Sequence, residues 1–392
     1  MSTPSGGARR LGVRTALVDG EWIAGDVEVA ADGTVAAVGV GGGSGAVGTG
    51  VAIPGLVDLQ VNGFGGVDLR HADADGYRVA GEALAAHGAT SVQPTFFGLS
   101  VDGYRDALET LAEIRAEQQG ALRDGRPTGC RFLRAHLEGP FLNARFKGAH
   151  DERTFLDPSI EVADTLVSSG EVGFVTVAPE LPGGLDLVRH LVERGVVVSI
   201  GHSDADDIWT RAAMEAGARH LTHCWNAHRR LTSRDPGPAA VALARTHLVV
   251  GLIADGVHVA DEIVRLTLHA ARGRVAATTD AIAPAGLVGA DGPSDGWDVG
   301  DGLAVTVRDG RATLPDGTLA GSVATPDGIL RNLLRCGADL PVAVDACGGV
   351  QRRLLGLDDV RVRPGDVADL VVLDDTMSVH RSLVAGHEVH RA

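Results

Sequence analysis

Residues 196–224 read VVVSIGHSDADDIWTRAAMEAGARHLTHC, and this stretch has the clearest pattern of secondary structure in the sequence. The apolar run at 196–200 predicts a buried strand, and the periodic pattern at 206–216 predicts an amphipathic helix. A second apolar run at 220–224 predicts the next strand. A buried strand, a crossover helix and a second buried strand are typical of a parallel sheet. The stretch therefore predicts one complete β/α unit.

The same alternation extends along the chain on both sides of this unit. The predicted strands cover residues 51–61, 89–97, 131–137, 173–178, 196–200, 220–224, 248–254 and 275–279. Eight strands with their helices in about 230 residues match the size of a closed (β/α)8, TIM-like barrel. An open, doubly wound sheet is the alternative that the alternation alone leaves open.

Both ends of the chain are predicted to be rich in strands. Short apolar runs separated by turn residues occupy positions 15–38 and again 368–389. We expect residues 1–52 and 357–392 to form one small β-sandwich domain together, and residues 53–356 to form the barrel domain. The Gly- and Asp-rich stretch near 288–318 is expected to be a hairpin or lid inserted into the barrel.

Composition disfavours several classes of protein. The 392 residues include 51 acidic and 35 basic side chains, and this balance argues against a nucleic-acid-binding protein. No apolar window reaches the length of about 18 residues that a membrane span needs. The four cysteines have no CxxC spacing, so we expect free thiols in a reducing compartment, with the cytoplasm as the default location.

Polar side chains occur where the predicted strands end. They are Gln60 and Asn62 at the end of the first strand, Glu138 after the third, His202 after the fifth, His223 in the sixth and Asp280 after the eighth. In a barrel these strand ends meet at one face. A carboxylate and two imidazoles, from Glu138, His202 and His223, leave open positions on a metal, as a catalytic site requires. Each histidine taken alone is as consistent with an ordinary buried or surface position.

Other candidates lie in the loops that follow these strands. Asp280 could accept a proton from water and pass it to a leaving amine, although a helix cap or turn is the alternative. His150 could polarise a carbonyl group, and Lys147, the only lysine, lies in the same loop. Backbone amides at Asn226, together with Arg234, could bind phosphate, but an ordinary turn with a surface arginine explains them equally well.

Eight short motifs, taken together and in order, resemble the amidohydrolase superfamily and, within it, the N-acetylglucosamine-6-phosphate deacetylase family. The resembling segments are residues 54–63, 136–143, 147–150, 177–180, 201–203, 222–227, 254–258 and 279–286. Each motif alone is weak, and their common order makes the resemblance specific. It implies hydrolysis of the acetamide of N-acetylglucosamine 6-phosphate, giving glucosamine 6-phosphate and acetate.

The resemblance also implies a role for each candidate residue. Glu138, His202 and His223 would bind the metal, and Asp280 would be the general acid and base. His150 would contact the acetyl carbonyl group. The residues implied in substrate binding are Asn226, Ala227, His258, Lys147 and Arg234. In the family this arginine comes from the neighbouring subunit, so the resemblance implies a homodimer.

Departures from the superfamily pattern limit these expectations. Gln60-Val61-Asn62 stands where many amidohydrolases have His-x-His, so we expect one divalent metal per chain, with Gln60 and Asn62 supporting its ligands without binding it. Zinc is the expected ion, and iron, manganese and cobalt accept the same ligands. His228-Arg229-Arg230 and Val323-Ala324-Thr325 replace a Met and a Ser-Leu-Thr pattern that the family usually has. Three alternatives therefore stay open: a deacylase of another N-acyl compound, a deaminase-type amidohydrolase, and a non-catalytic amidohydrolase-like assembly protein.

Overall fold

The computed structural model describes residues 7–41, 48–244, 247–287, 294–298 and 304–392. The chain starts with six short strands: β1 (Arg9–Arg10), β2 (Thr15–Val18), β3 (Glu21–Ala24), β4 (Asp26–Val29), β5 (Val35–Val40) and β6 (Val51–Pro54). Strands β1, β4 and β5 form one antiparallel sheet, and β2, β3 and β6 belong to a second. Residues 1–6 and 42–47 of the segment 1–52, which was predicted to belong to the β domain, lie outside the described residues.

The middle of the chain alternates between strands and helices, as predicted. Its elements are β7 (Leu56–Val61), β8 (Gly63–Phe64), β9 (Val67–Asp68), α1 (Ala74–Ala86), β10 (Ala89–Phe96), α2 (Val101–Arg123), β11 (Arg131–Phe132), β12 (Ala135–Glu138), α3 (Ile160–Val167), β13 (Val172–Val177), α4 (Gly184–Glu193), β14 (Val197–Ile200), α5 (Asp207–Glu215), β15 (His220–Leu221), α6 (Gly237–Ala244), β16 (Val249–Ile253), α7 (Asp261–Ala270) and β17 (Val275–Thr278). Parallel pairing of β7, β10 and β12 to β17 in this order produces a nearly closed eight-stranded barrel, which confirms the predicted fold.

Two predicted strands are divided in the structure. The run at 51–61 forms β6 and β7 on either side of Gly55, and β6 belongs to the sheet of the β domain. A Cβ atom at Gly55 would lie 2.3 Å from the Thr90 side chain, so this close approach requires glycine. The run at 131–137 forms β11 and β12, which pair with successive parts of β10. Apolar periodicity does not reveal these breaks, because buried apolar residues flank each of them, Ile53 and Leu56 at the first and Phe132 and Ala135 at the second.

The barrel closes between β17 and β7 with little regular pairing. The backbone N–H groups of Asn62 and Gly63 both donate to the carbonyl oxygen of Ala281, at 2.8 and 3.0 Å. Below this point the buried carboxylate of Asp58 accepts hydrogen bonds from the Thr279 backbone, at 2.9 Å, and from the Thr278 hydroxyl. A side chain therefore replaces part of the strand ladder at this seam.

An antiparallel sheet is inserted after the barrel strands. Its strands are β18 (Ser294–Asp298), β19 (Ala304–Arg308), β20 (Arg311–Thr313) and β21 (Leu319–Ser322), paired in sequence order. The hairpin β19–β20 falls within the stretch predicted as an inserted hairpin or lid, and residues 288–293 and 299–303 of that stretch lie outside the described residues. The backbone N–H of Ser322 donates to the Asp280 carbonyl, so β21 joins the insert to the end of β17.

The C-terminal part completes both the barrel and the β domain. Its elements are α8 (Pro326–Arg335), α9 (Leu340–Val344), a π-helical turn (Asp345–Gly349), α10 (Val350–Leu355), β22 (Leu370–Leu373), β23 (Val379–Val384) and β24 (His387–Arg391). The six-stranded sheet has the order β24-β23-β22-β6-β2-β3, so strands from both chain ends form the β domain, as predicted. Among the described helices, none combines the length and the apolar character needed to cross a membrane.

Candidate active site

Three buried side chains meet at the carboxyl ends of β12, β14 and β15. Glu138 is the last residue of β12, and His202 and His223 each lie two residues beyond the end of their strand. Oε1 of Glu138 is 3.1 Å from Nε2 of His202 and 2.9 Å from Nε2 of His223. Each of the three residues is at most 5% exposed. The structure thus brings the three predicted ligands together, close enough to share one ion.

A backbone carbonyl group orients each imidazole of this cluster. Nδ1 of His202 is 2.8 Å from the carbonyl oxygen of Phe146, and Nδ1 of His223 is 3.0 Å from that of Asn226. Because a carbonyl oxygen only accepts, these contacts place the proton of a neutral imidazole on Nδ1. The Nε2 lone pairs then face the Glu138 carboxylate, and a cation is needed between them.

The ionisation of the cluster agrees with a cation site. Burial would raise the pKa of Glu138, but the neighbouring imidazoles of His150, His202 and His223 hold that pKa well below its usual range. Burial and the neighbouring charge of His150 lower the pKa of His202 to about 4. Burial would lower the pKa of His223, but the Glu138 carboxylate raises it, so His223 is the imidazole that must release a proton for a cation to bind. One carboxylate and two imidazoles form the donor set of many catalytic divalent-metal sites, so Glu138, His202 and His223 can hold a metal ion.

Asp280 lies beside this cluster, two residues after β17. Its Oδ1 accepts a hydrogen bond of 2.8 Å from the side-chain amide of Asn62, which follows β7 across the seam. Burial, together with repulsion from the Glu138 charge, raises the pKa of Asp280 to about 6. A carboxyl group with such a pKa can both accept and return a proton near neutral pH.

Left-handed backbone conformations cluster at this face of the barrel. His202, His223, Ala227 and Asp280 have φ values of 48°, 28°, 55° and 51°, which residues other than glycine rarely adopt. Such conformations cost free energy and persist where the surrounding structure holds them, most often at functional sites. Here they turn the chain sharply at the strand ends and direct the side chains over the barrel mouth.

His150 and His258 stand on either side of the cluster. Nε2 of His150 is 3.6 Å from Oε2 of Glu138, and its ring packs against His202 with 4.5 Å between centroids. Nδ1 of His258 is 2.7 Å from a carboxylate oxygen of Asp255. Burial would raise the pKa of Asp255, but the contact with His258 lowers it. The two histidines are therefore held in fixed positions.

A cavity of about 440 Å³ opens above these groups. Its wall includes the sequence-predicted site residues Asn62, Glu138, His150, His202, His223, Asn226, Ala227, His258 and Asp280. Residues 318–321, at the start of β21, contribute to the wall, so the inserted sheet borders the cavity. The volume suits a small polar molecule of the size of a monosaccharide derivative.

Three predicted residues lie outside this wall. Gln60 is buried below the cluster, and its side-chain amide nitrogen has no partner among the described residues. Nζ of Lys147 is 3.4 Å from the carbonyl oxygen of His150. Arg234 is exposed, and within a single chain it does not reach the cavity.

Several residues of the wall were not predicted from the sequence, among them Arg70, Phe97 and Arg230. Arg70 is buried, pairs with Asp68 at 2.7 Å, and its guanidinium lies 4.2 Å from the ring centre of Phe97. The Phe97 ring in turn packs against His150. Arg230 was noted only as a departure from the family pattern. Phe97 directly follows β10, so its position at a strand end was the available signal.

Comparison with known proteins places the chain among deacetylases. No protein-family model matches it. The N-acetylglucosamine-6-phosphate deacetylase of Caenorhabditis elegans is 33% identical over 360 residues, which cover 86% of this chain and 82% of the relative. The N-acetylgalactosamine-6-phosphate deacetylase of Escherichia coli O157:H7 is 32% identical over 338 residues, covering 85% of this chain and 86% of the relative.

A solved structure gives the same result for the fold. It is that of a mutant N-acetyl-D-glucosamine-6-phosphate deacetylase of Mycobacterium smegmatis in complex with N-acetyl-D-glucosamine-6-phosphate. Its TM-score is 0.86 at 32% identity, with 98% of this chain and 100% of the other covered. The likeness therefore includes the barrel and the β domain.

Proposed function

Because this chain belongs to the N-acetylglucosamine-6-phosphate deacetylase family of the amidohydrolase superfamily, we propose that it removes the acetyl group from an N-acetylhexosamine 6-phosphate. N-acetylglucosamine 6-phosphate is the first candidate, and glucosamine 6-phosphate and acetate are its products. The observation that carries this proposal is the convergence of Glu138, His202, His223 and Asp280 in one cavity.

The site is proposed to hold one divalent cation per chain, bound by Glu138, His202 and His223. When bound, such a cation lowers the pKa of water and polarises a carbonyl group. Gln60 and Asn62 stand where two further imidazoles would be needed for a second tightly held ion, and amides are poorer ligands. Zinc suits this donor set best, and iron, manganese and cobalt are the alternatives.

The proposed chemistry is carried by Asp280. Its carboxylate accepts a proton from the water that attacks the acetyl carbonyl carbon, while Asn62 holds the carboxylate at 2.8 Å in the correct orientation. Asp280 then delivers that proton to the amide nitrogen as the C–N bond breaks, and the amine leaves. His150, adjacent to Glu138, is proposed to hydrogen-bond the carbonyl oxygen as negative charge develops on it.

The sugar and its phosphate are proposed to lie against the loop after His223. Asn226, the Ala227 amide and His258 border the cavity there. Lys147 stays a prediction, since its ammonium group lies outside the cavity wall and would have to move to reach substrate. Arg234 is proposed to reach the cavity of the neighbouring subunit of a homodimer. The four cysteines are buried and unpaired, which supports a proposed cytoplasmic location.

Release of acetate from four sugars tests the substrate. We expect kcat/KM for N-acetylglucosamine 6-phosphate to exceed that for N-acetylglucosamine by about 100-fold, because a buried phosphate forms several charge-assisted hydrogen bonds. N-acetylgalactosamine 6-phosphate and N-acetylgalactosamine complete the panel, since one relative of 32% identity is named N-acetylgalactosamine-6-phosphate deacetylase. Equal rates on phosphorylated and unphosphorylated sugars would rule out the proposed substrate class.

Metal analysis and chelation test the cation. We expect one tightly bound divalent ion per chain, and complete loss of turnover when a chelator removes it. Removal should also lower Tm by about 5 °C or more, because binding to the native state alone stabilises it. Adding zinc back should restore both the activity and Tm. Two tightly bound ions per chain, or an unchanged Tm after verified removal, would contradict the proposed site.

A further inference from the structure

The chain runs extended along one side of the cavity immediately after Ala227. The backbone N–H of Ser203 donates to the Ala227 carbonyl at 3.2 Å, and that of Arg229 donates to the Ser203 carbonyl at 3.0 Å. Successive side chains of an extended segment point in opposite directions. His228 faces the cavity, Arg229 faces away, and Arg230 again faces the cavity.

Of the two adjacent arginines, only Arg230 has a free charge. Nε of Arg229 is 2.8 Å from a carboxylate oxygen of Asp235, and its NH1 is 3.1 Å from one of Asp204. Arg230 is exposed and, within the part of the chain that the structure describes, makes no ion pair or hydrogen bond. Its guanidinium can therefore bind a ligand without breaking an existing contact.

The other basic groups of the wall are already engaged by protein groups. Arg70 pairs with the carboxylate of Asp68, and His258 pairs with that of Asp255. Nε2 of His228 donates to the carbonyl oxygen of Thr222 at 2.7 Å. A phosphate dianion placed in this cavity would also be near the carboxylates of Glu138 and Asp280. Among the described wall residues, Arg230 therefore has the guanidinium group that is available to balance the charge of the phosphate.

A second, independent feature indicates that a ligand supplies a hydrogen-bond acceptor at the same loop. The side-chain nitrogen Nδ2 of Asn226 is buried and has no acceptor among the described residues, although Asn226 borders the cavity. A buried donor without a partner costs about 1–3 kcal/mol, unless a ligand supplies the acceptor. Asn226 and Arg230 thus present an unpaired amide donor and an unpaired cation to one space.

We propose that Arg230 binds the phosphate group of the substrate within its own chain and so determines the preference for phosphorylated sugars. The planar guanidinium matches two phosphate oxygens at once, and the Asn226 amide donates to the same group. This inference rests on the proposed function. It adds an intrachain cation to a phosphate site for which the resemblance implies an arginine from the neighbouring subunit.

The test compares three arginine-to-methionine variants of the full chain in its metal-bound form. Arg230→Met removes the proposed contact, and Arg234→Met removes the arginine implied by the resemblance. Arg272→Met is the matched control, since Arg272 is also exposed but lies just before β17, at the opposite end of the barrel. The quantity measured is the ratio of kcat/KM for N-acetylglucosamine 6-phosphate to that for N-acetylglucosamine. Competitive inhibition by inorganic phosphate gives a second readout.

We expect Arg230→Met to lower this ratio by about 10- to 100-fold, and to raise the Ki of inorganic phosphate similarly, because a charge-assisted hydrogen-bonded pair is lost. Arg230→Lys should recover part of the ratio, and Arg272→Met should leave it at the wild-type value. A high wild-type ratio that Arg230→Met does not change would overturn this inference alone. A ratio that falls only in Arg234→Met would also overturn it. A wild-type ratio near one would overturn the proposed substrate, and the inference with it.

Discussion

Replacing Asp280 by asparagine is expected to lower kcat by about 10²- to 10⁴-fold, the usual contribution of a general acid–base group. The amide is isosteric with the carboxyl group but cannot accept the proton of the attacking water or return it to the departing nitrogen. Since Asp280 is not one of the three clustered ligands, the metal content should stay at the wild-type value. Acetate release and metal analysis of the same sample check both parts.

The control for this experiment is Asp102→Asn, a change of an exposed aspartate on α2. It removes the same charge from a residue that does not line the cavity, and it should keep wild-type kcat. Thermal unfolding of Asp280→Asn should show a folded protein with an intact transition. If Asp280→Asn kept turnover within a few-fold of wild type, Asp280 would not be the general acid and base. Another group would then have to transfer the proton.

Glu138→Gln is expected to abolish metal binding and to lower kcat by about 10³-fold or more, because the cation supplies several kcal/mol of stabilisation to the transition state. Glu138 provides the only negative charge of the three-residue cluster, and both Nε2 atoms lie within 3.1 Å of one of its oxygens. The neutral amide cannot balance the charge of a divalent ion. Metal content after gel filtration is the direct measurement.

His150→Asn tests whether His150 acts on the substrate without binding the metal. His150 approaches Glu138 from the other side, at 3.6 Å, and is proposed to act on the substrate carbonyl. We expect this variant to keep its metal and to lose turnover, whereas Glu138→Gln loses both. If Glu138→Gln retained a full equivalent of metal, the ion would have to be bound elsewhere.

The positions of the candidate metal ligands were predictable, because they depend on where buried strands end. Runs of Val and Ile mark the strands, and in a parallel barrel the residue after each strand lies at a known face. Glu138, His202, His223 and Asp280 could therefore be grouped although they are far apart in sequence. The chemistry of the side chains suggested a role for each of them, and the resemblance to a known family implied the same roles.

The contacts that orient the candidate ligands and complete the cavity wall were not predictable. Some of them are made by backbone atoms, and others depend on the paths of loops. The carbonyl groups of Phe146 and Asn226, which orient the two imidazoles, have no sequence signature. Arg70 and Arg230 reach the cavity only because their loops fold over the barrel mouth. The division of the first predicted strand was likewise hidden, since both of its parts are apolar.

The seam between β7 and β17 has a consequence for how the protein moves. Asn62 and Asp280, the pair proposed to handle the proton, lie on opposite edges of the junction of the described barrel that lacks a continuous ladder. A motion that separates the two edges would lengthen the hydrogen bond between the Asn62 amide and the Asp280 carboxylate. The buried carboxylate of Asp58 holds the two edges together beneath this pair, and so it stabilises the distance between Asn62 and Asp280.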